Sequence, residues 1–167
     1  MKHLWIVSLS LSLSLALTAA ASVNRSDRNT MIKLGQGDTS EVDLAKIVEP
    51  KATNADVKAF AKRMIDEHTK AFDELERIAK AEKVTLKGGM DSEHKKFASE
   101  LAKKKLGAEY DRTYVEQMVK DHTKDRSAVE KALKTIKNDE LKRWAENELK
   151  TIEEHLKLVE EVRGKLK

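Results

Sequence analysis

The chain has 167 residues, no cysteine, 37% charged side chains and a formal charge of +4. These values fit one compact domain and exclude both a disulfide-stapled fold and any cysteine ligand set. Acidic and basic residues alternate through the charged tracts, and the one run of three lysines is Lys103 to Lys105, a pattern of solvated helix faces that excludes nucleic acid as a partner.

Residues 1–21 read as a secretory signal peptide. Lys2 and His3 supply the basic start, Leu4 to Leu17 the apolar stretch, and Ala19-x-Ala21 the cleavage site. The apolar stretch is shorter than the roughly 20 residues that cross a bilayer as a helix, and no cysteine follows it for a lipid anchor. Cleavage removes Lys2 and lowers the formal charge from +4 to +3. The mature chain is then expected in the periplasm, without a transmembrane segment. Residues 22–38 are polar and glycine-bearing without a sustained period, and are expected to form a flexible leader. Residues 39–165 then form the domain.

Within that domain the pattern is helical throughout. A short first helix is expected over 40–49, opened by Ser40 with Asp43 as a reciprocal cap and stopped by Pro50, the only proline. A second helix, from Thr53 or Asn54 to about Lys83, carries Val57, Phe60, Ala61, Met64, Ile65, Ala71, Phe72, Leu75 and Ile78 at spacings of three and four. Gly88-Gly89 interrupts the chain. A short crossover helix over 92–106 follows, ended by Gly107, then a third long helix from Ala108 to Lys137. Asn138 is a natural turn and N-cap, and the last helix runs from Asp139 to Val162 or beyond. Long amphipathic stripes with no strand-like segment predict an all-α, four-helix bundle, with a short first helix and one added crossover helix.

Three of the apolar stripes are interrupted by histidine. His68 follows Met64 by four, His122 follows Met118 by four, and His155 follows Ile152 by three. Two settings are nearly one string, Met64-Ile65-Asp66-Glu67-His68-Thr69-Lys70 and Met118-Val119-Lys120-Asp121-His122-Thr123-Lys124. If Asn138 makes a hairpin, His122 lies 16 residues before it and His155 lies 17 after it, which at about 1.5 Å per residue puts them at one height. Buried polar layers are costly unless paired, and three imidazoles with one carboxylate are suited to zinc, iron, manganese or copper. The candidate metal ligands are His68, His122 and His155, with Glu41 as the carboxylate if the chain doubles back at Pro50. Asp125, one turn after His122, competes with Glu41, and Glu148 is more distant. Glu67, Asp121 and Glu154 each precede a histidine, about 100° around the helix, and are candidates to orient imidazoles of adjacent helices from outside. Two readings compete with metal binding: a histidine layer that only fixes packing, and a metal-dependent oxidoreductase. No nucleophile triad, phosphate loop or paired glycosidase carboxylates can be assembled, and no catalytic residue is assigned.

Ser40-Glu41-Val42-Asp43-Leu44, Val57 to His68, Tyr114 to His122 and Glu154-His155-Leu156 together resemble DUF4142, a family of bacterial exported proteins described as a domain of unknown function. The resemblance covers about residues 38 to 162. It implies a ferritin-like helical bundle in the periplasm or in peripheral contact with the outer membrane, with Glu41, His68, His122 and His155 at the family's recurrent polar positions. The Glu-x-x-His pairs of ferritin-like di-iron proteins are absent, since Ile65, Val119 and Ile152 stand three residues before the histidines. A role in metal homeostasis or envelope stress follows as the expectation, with an envelope protein or a second copy as partner.

Overall fold

The computed structural model describes residues 23–166, and all regular structure in that span is helical. The order is α1 Arg25–Val48, α2 Ala55–Ala81, α3 Ser92–Leu101, α4 Ala108–Leu133 and α5 Asp139–Lys165. The signal peptide expected at 1–21 lies outside the described residues. Asparagine opens three of the long helices: the side chains of Asn24, Asn54 and Asn138 accept from backbone N–H groups two or three residues further on, satisfying donors that the helix itself leaves unpaired. Asp91 does the same for α3. Gly107, which was expected to end the crossover helix, precedes α4 at φ 126°, a conformation that favours glycine.

The direction of each helix follows from two aspartates. Asp111, at the start of α4, accepts from Thr53 N, Asn54 N and the Thr53 hydroxyl, at 3.1, 2.8 and 2.6 Å. Asp27, at the start of α1, accepts from Lys137 N and Asn138 N at 3.1 and 2.7 Å. The start of α4 is therefore beside the α1–α2 turn, and the start of α1 is beside the α4–α5 turn. With α1 running up, α2 and α4 run down and α5 runs up, so the 82–107 segment crosses the length of the bundle. Up-down-down-up order with one long crossover is the ferritin-like arrangement.

The expectations for the leader and the first two helix starts are corrected. Residues 25–38 are not a flexible leader but the first half of α1, which is 24 residues long instead of short. Asn24 caps it by accepting from Asp27 N, and Met31, Gly35 and Asp38 are buried along it. Gly35 weakens the apolar periodicity because its missing side chain is the packing feature: a Cβ there would stand 3.1 Å from Leu86 Cδ1 and 3.4 Å from Leu75 Cδ2. Ser40 is consequently no cap. Its hydroxyl donates to Gln36 O at 2.7 Å within α1. Likewise Thr53 belongs to the Asp111 clasp, and Asn54 is the cap of α2.

The core is divided. Leu44, Val57, Phe60, Tyr110, Tyr114 and Val159 belong to one apolar cluster near the α1–α2 turn, and Met31, Leu75, Ile78, Val129, Leu141 and Trp144 to another near the α4–α5 turn. Burying each large aliphatic side chain contributes about 1.5–3 kcal/mol. The histidine-bearing middles of α2, α4 and α5 fall between the two clusters, level with Asp38 and Glu41 of α1.

Asp111→Ala leaves two backbone donors and a hydroxyl unpaired in a part-buried turn. It should lower the unfolding free energy by about 2–3 kcal/mol in denaturant titrations, while a change within experimental error would remove the clasp from the account of topology.

Candidate metal centre

The middle of the bundle is a layer of ionisable side chains. It draws Asp38 and Glu41 from α1, His68 from α2, His94 from α3, Asp121 and His122 from α4, and Glu148 and His155 from α5, all of them buried. Each sits where an apolar residue of its stripe would otherwise be, one or two turns from core residues such as Met64, Met118 and Ile152.

The rings of His68, His122 and His155 meet with centroids 5.1 to 5.7 Å apart. The outer nitrogen of each ring is held by an acceptor. His68 Nδ1 lies 3.0 Å from Asp38 Oδ1, His122 Nδ1 lies 2.9 Å from the Met118 carbonyl, and His155 Nε2 lies 2.6 Å from Glu67 Oε2. A carbonyl or carboxylate oxygen brings no proton, so the outer nitrogen of each ring is the donor. In neutral rings the inner nitrogens are then His68 Nε2, His122 Nε2 and His155 Nδ1, each presenting a lone pair.

His122 Nε2 and His155 Nδ1 are 3.3 Å apart, and between two lone pairs that separation is no hydrogen bond. It is close to the roughly 3.4 Å between two nitrogens bound tetrahedrally to one ion at about 2.1 Å. His68 Nε2 is buried without a hydrogen-bond partner. Ligand atoms of the three histidines all lie within 4.8 Å of one another. Outer acceptors that fix ring orientation are the usual accompaniment of metal-ligating histidine.

Two further groups meet the same spacing, Asp38 with His68 and Glu148, and Glu41 with His94 and Asp121. All three buried groups have the composition and spacing to coordinate a divalent ion. Beside His68 is a small cavity of about 40 Å³ lined by Asp38, Glu41, Asp125 and Glu148, enough for one water or ion.

Burial and crowding set the charges. Burial, then the neighbouring carboxylate Glu41, raises Asp121 to about 6 and Asp125 to about 7. Burial, then Asp38, raises Glu148 to about 8. For His68, burial opposes the charge, but the hydrogen bond to Asp38 and the surrounding carboxylates outweigh it and bring the ring to about 9. His94 is likewise at about 9, its burial outweighed by Glu41, Asp91 and Asp121. His155 is held neutral down to about 2 by burial and then by His68 and His122, and burial also lowers His122.

Of the residues singled out from sequence, His68, His122 and His155 come together. Glu67 holds His155 from α2, and is itself paired with Arg63 at 2.9 Å. Glu41 stands with His94 and Asp121 instead of within the three-histidine group. Asp125 lines the cavity, and the exposed Glu154 pairs with Arg63 at 3.4 Å. Sequence reading missed Asp38 and His94. Asp38 falls one helical turn before Glu41, a signal available once Asn24 and Asp27 are seen as a helix start. For His94 no local signal exists, because its place depends on how the crossover folds back.

A ferritin-like bundle with buried histidine and carboxylate groups at its centre is therefore the class of protein this fold and site define. The chain belongs to the DUF4142 family, a domain of unknown function, whose match extends over residues 12–162. A similar fold is seen in the crystal structure of a DUF305 fragment from Deinococcus radiodurans, with a TM-score of 0.77, 14% identity, and 87% of this chain and 99% of that one covered. At that identity the likeness concerns the fold alone. No curated protein matches the chain. Among the described residues, no helix is long and apolar enough to cross a membrane.

The charges carry a pH dependence with a defined sign. His68 and His94 have pKa values raised above the ordinary 6.5, and Asp125 and Glu148 are raised above 3.8 and 4.5. Each contributes stability that is present below its ordinary value and lost as the pH rises through its raised one. His155, lowered from 6.5, acts oppositely and costs stability only below that value. In chelator, the melting temperature should therefore fall from about pH 6.5 to about pH 9, and Glu148→Gln should make the fall shallower. A melting temperature constant across that interval would contradict these charges.

Proposed function

We propose that this protein is exported through its 1–21 signal peptide and holds a divalent transition-metal ion in the periplasm through His68 Nε2, His122 Nε2 and His155 Nδ1. The observation that carries the reading is the pair of inner nitrogens, His122 Nε2 and His155 Nδ1, placed 3.3 Å apart while both outer nitrogens are engaged by acceptors. A bundle core gains nothing from two lone pairs aimed at each other, and an ion between them turns the arrangement into coordination. Imidazole donors suit zinc, copper and iron. The cavity beside His68 has room for a water among the Asp38, Asp125 and Glu148 carboxylates, and Glu41 faces His94.

Enclosure supports retention over turnover. His122 and His155 are fully buried and His68 is 3% exposed, so a bound ion has no open face for a substrate. A role in metal homeostasis at the envelope fits such a site, and the family resemblance extends the location to peripheral contact with the outer membrane.

Because His68 carries a proton at neutral pH, loading an ion must release it. Calorimetric titration of the mature chain with Zn²⁺ in buffers of different ionisation enthalpy should show about one proton released per ion at the three-histidine centre at pH 7, with saturating ion raising the melting temperature by mass action. Glu67→Gln should weaken binding by about 10- to 100-fold, the usual effect of losing an outer partner. His122→Ala and His155→Ala should each weaken it at least as much. Zn²⁺ affinity unchanged in the His122→Ala/His155→Ala double variant would leave the layer as a packing device only.

A further inference from the structure

His94 lies on α3, outside the four long helices, yet its ring reaches the central layer. Its Nδ1 is 3.0 Å from Asp91 Oδ1, the residue whose side chain also caps α3 through His94 N at 2.8 Å. In the neutral ring the proton is on Nδ1 and Nε2 presents a lone pair to the interior. That nitrogen is 3.8 Å from Glu41 Oε1 and 3.8 Å from Asp121 Oδ2. Both distances are too long for a hydrogen bond and suit three donors around one ion.

Glu41 gives the second, independent sign. It is 1% exposed, and neither of its carboxylate oxygens has a hydrogen-bond partner. Leaving such a group bare is among the costliest arrangements in a core. His94 Nε2 is buried and unpartnered too. The other donors are held in place from behind: Gln117 Nε2 donates to both oxygens of Asp121 at 3.0 Å. The backbone before α3 is fixed to α1, where Ser40 Oγ accepts from Asp91 N at 3.0 Å and the Thr39 hydroxyl donates to Gly89 O at 3.1 Å.

We propose that Glu41, His94 and Asp121 form a second divalent-cation site, separate from the three histidines, and that the cation bound there fastens α3 to α1 and α4. One imidazole and two carboxylates make a harder donor set than three imidazoles, one open to zinc, iron and manganese. The fastening matters because α3 buries little else: His94 and Leu101 are its only buried residues. One turn after His94, Phe97 borders an open cleft of about 510 Å³ against Arg112, Glu116 and Lys120 of α4.

The site uses none of the three imidazoles of the first, so the two can fail separately. Elemental analysis of the mature protein after equilibration with Zn²⁺ and gel filtration should find two ions per chain, one in His94→Gln, one in Glu41→Gln and one in His122→Ala/His155→Ala. Hydrogen exchange in residues 92–101 should slow at least about 10-fold with Zn²⁺ in the parent protein and in His122→Ala/His155→Ala, and should be insensitive to Zn²⁺ in Glu41→Gln, which keeps the volume of the side chain and serves even where His94→Gln fails to fold. Two ions per chain retained by Glu41→Gln would overturn the second site, as would α3 exchange that ignores Zn²⁺ in the parent. A single ion per chain in the parent, lost in Glu41→Gln but kept in His122→Ala/His155→Ala, would uphold it and remove the three-histidine centre instead.

Discussion

Charge that is buried in a helical core has to be answered by a partner, and in this bundle the answer governs nearly everything else. An unpaired buried ion costs several kcal/mol even after relaxation, a large fraction of the net stability of a domain this size. The layer contains Asp38, Glu41, Asp121 and Glu148 against His68 and His94, with His122 and His155 held neutral beside them. Without a cation, protons must neutralise the carboxylates, which is why Asp121, Asp125 and Glu148 are raised into or near the neutral range. A divalent ion replaces those protons with coordination and removes the conflict between burial and charge.

The surrounding architecture serves to hold that layer level. Asp27 and Asp111 clasp opposite ends of the bundle, and the same spacing in sequence separates Asp27 from Asp111 and Asn54 from Asn138. The α1–α2 and α4–α5 hairpins are thus equivalent halves, each turned at an asparagine whose backbone donates to the other half's aspartate. In this correspondence Asp38 of the first half matches His122 of the second, and Glu41 matches Asp125. Apolar clusters above and below seal the layer, with Phe60 edge-on to His155 at 6.3 Å and Trp144 Nε1 donating to Ala71 O at 3.0 Å across the α2–α5 seam. Rigid donors in a dry setting are what metal affinity requires.

Much of this was legible in the residues. His122 and His155 could be placed at one height because a capping asparagine between two long amphipathic stripes fixes a hairpin, and helix rise does the rest. Glu67 was readable as a support for an imidazole on a neighbouring helix because it points about 100° away from His68. The first half of α1 was hidden, since Gly35 removes an apolar side chain at the point where Leu75 and Leu86 come closest. The string shared by His68 and His122 suggested a repeat between α2 and α4, whereas the folded equivalence pairs α1 with α4, set by Asp27 and Asp111. His94 was unreadable for a different reason: only the path of the crossover brings α3 onto Glu41, and no local pattern encodes that path.

The central claim is that the inner nitrogens of His122 and His155 bear lone pairs aimed at a common point, which His68 Nε2 joins once an ion displaces its proton, and long-range proton–nitrogen NMR of the histidine-labelled protein tests it most directly. In chelator at neutral pH the account predicts His122 protonated on Nδ1 alone and His155 on Nε2 alone, with the inner nitrogens shifting together on addition of Zn²⁺. A proton on His122 Nε2 or His155 Nδ1, or inner nitrogens that do not respond to the ion, would contradict it.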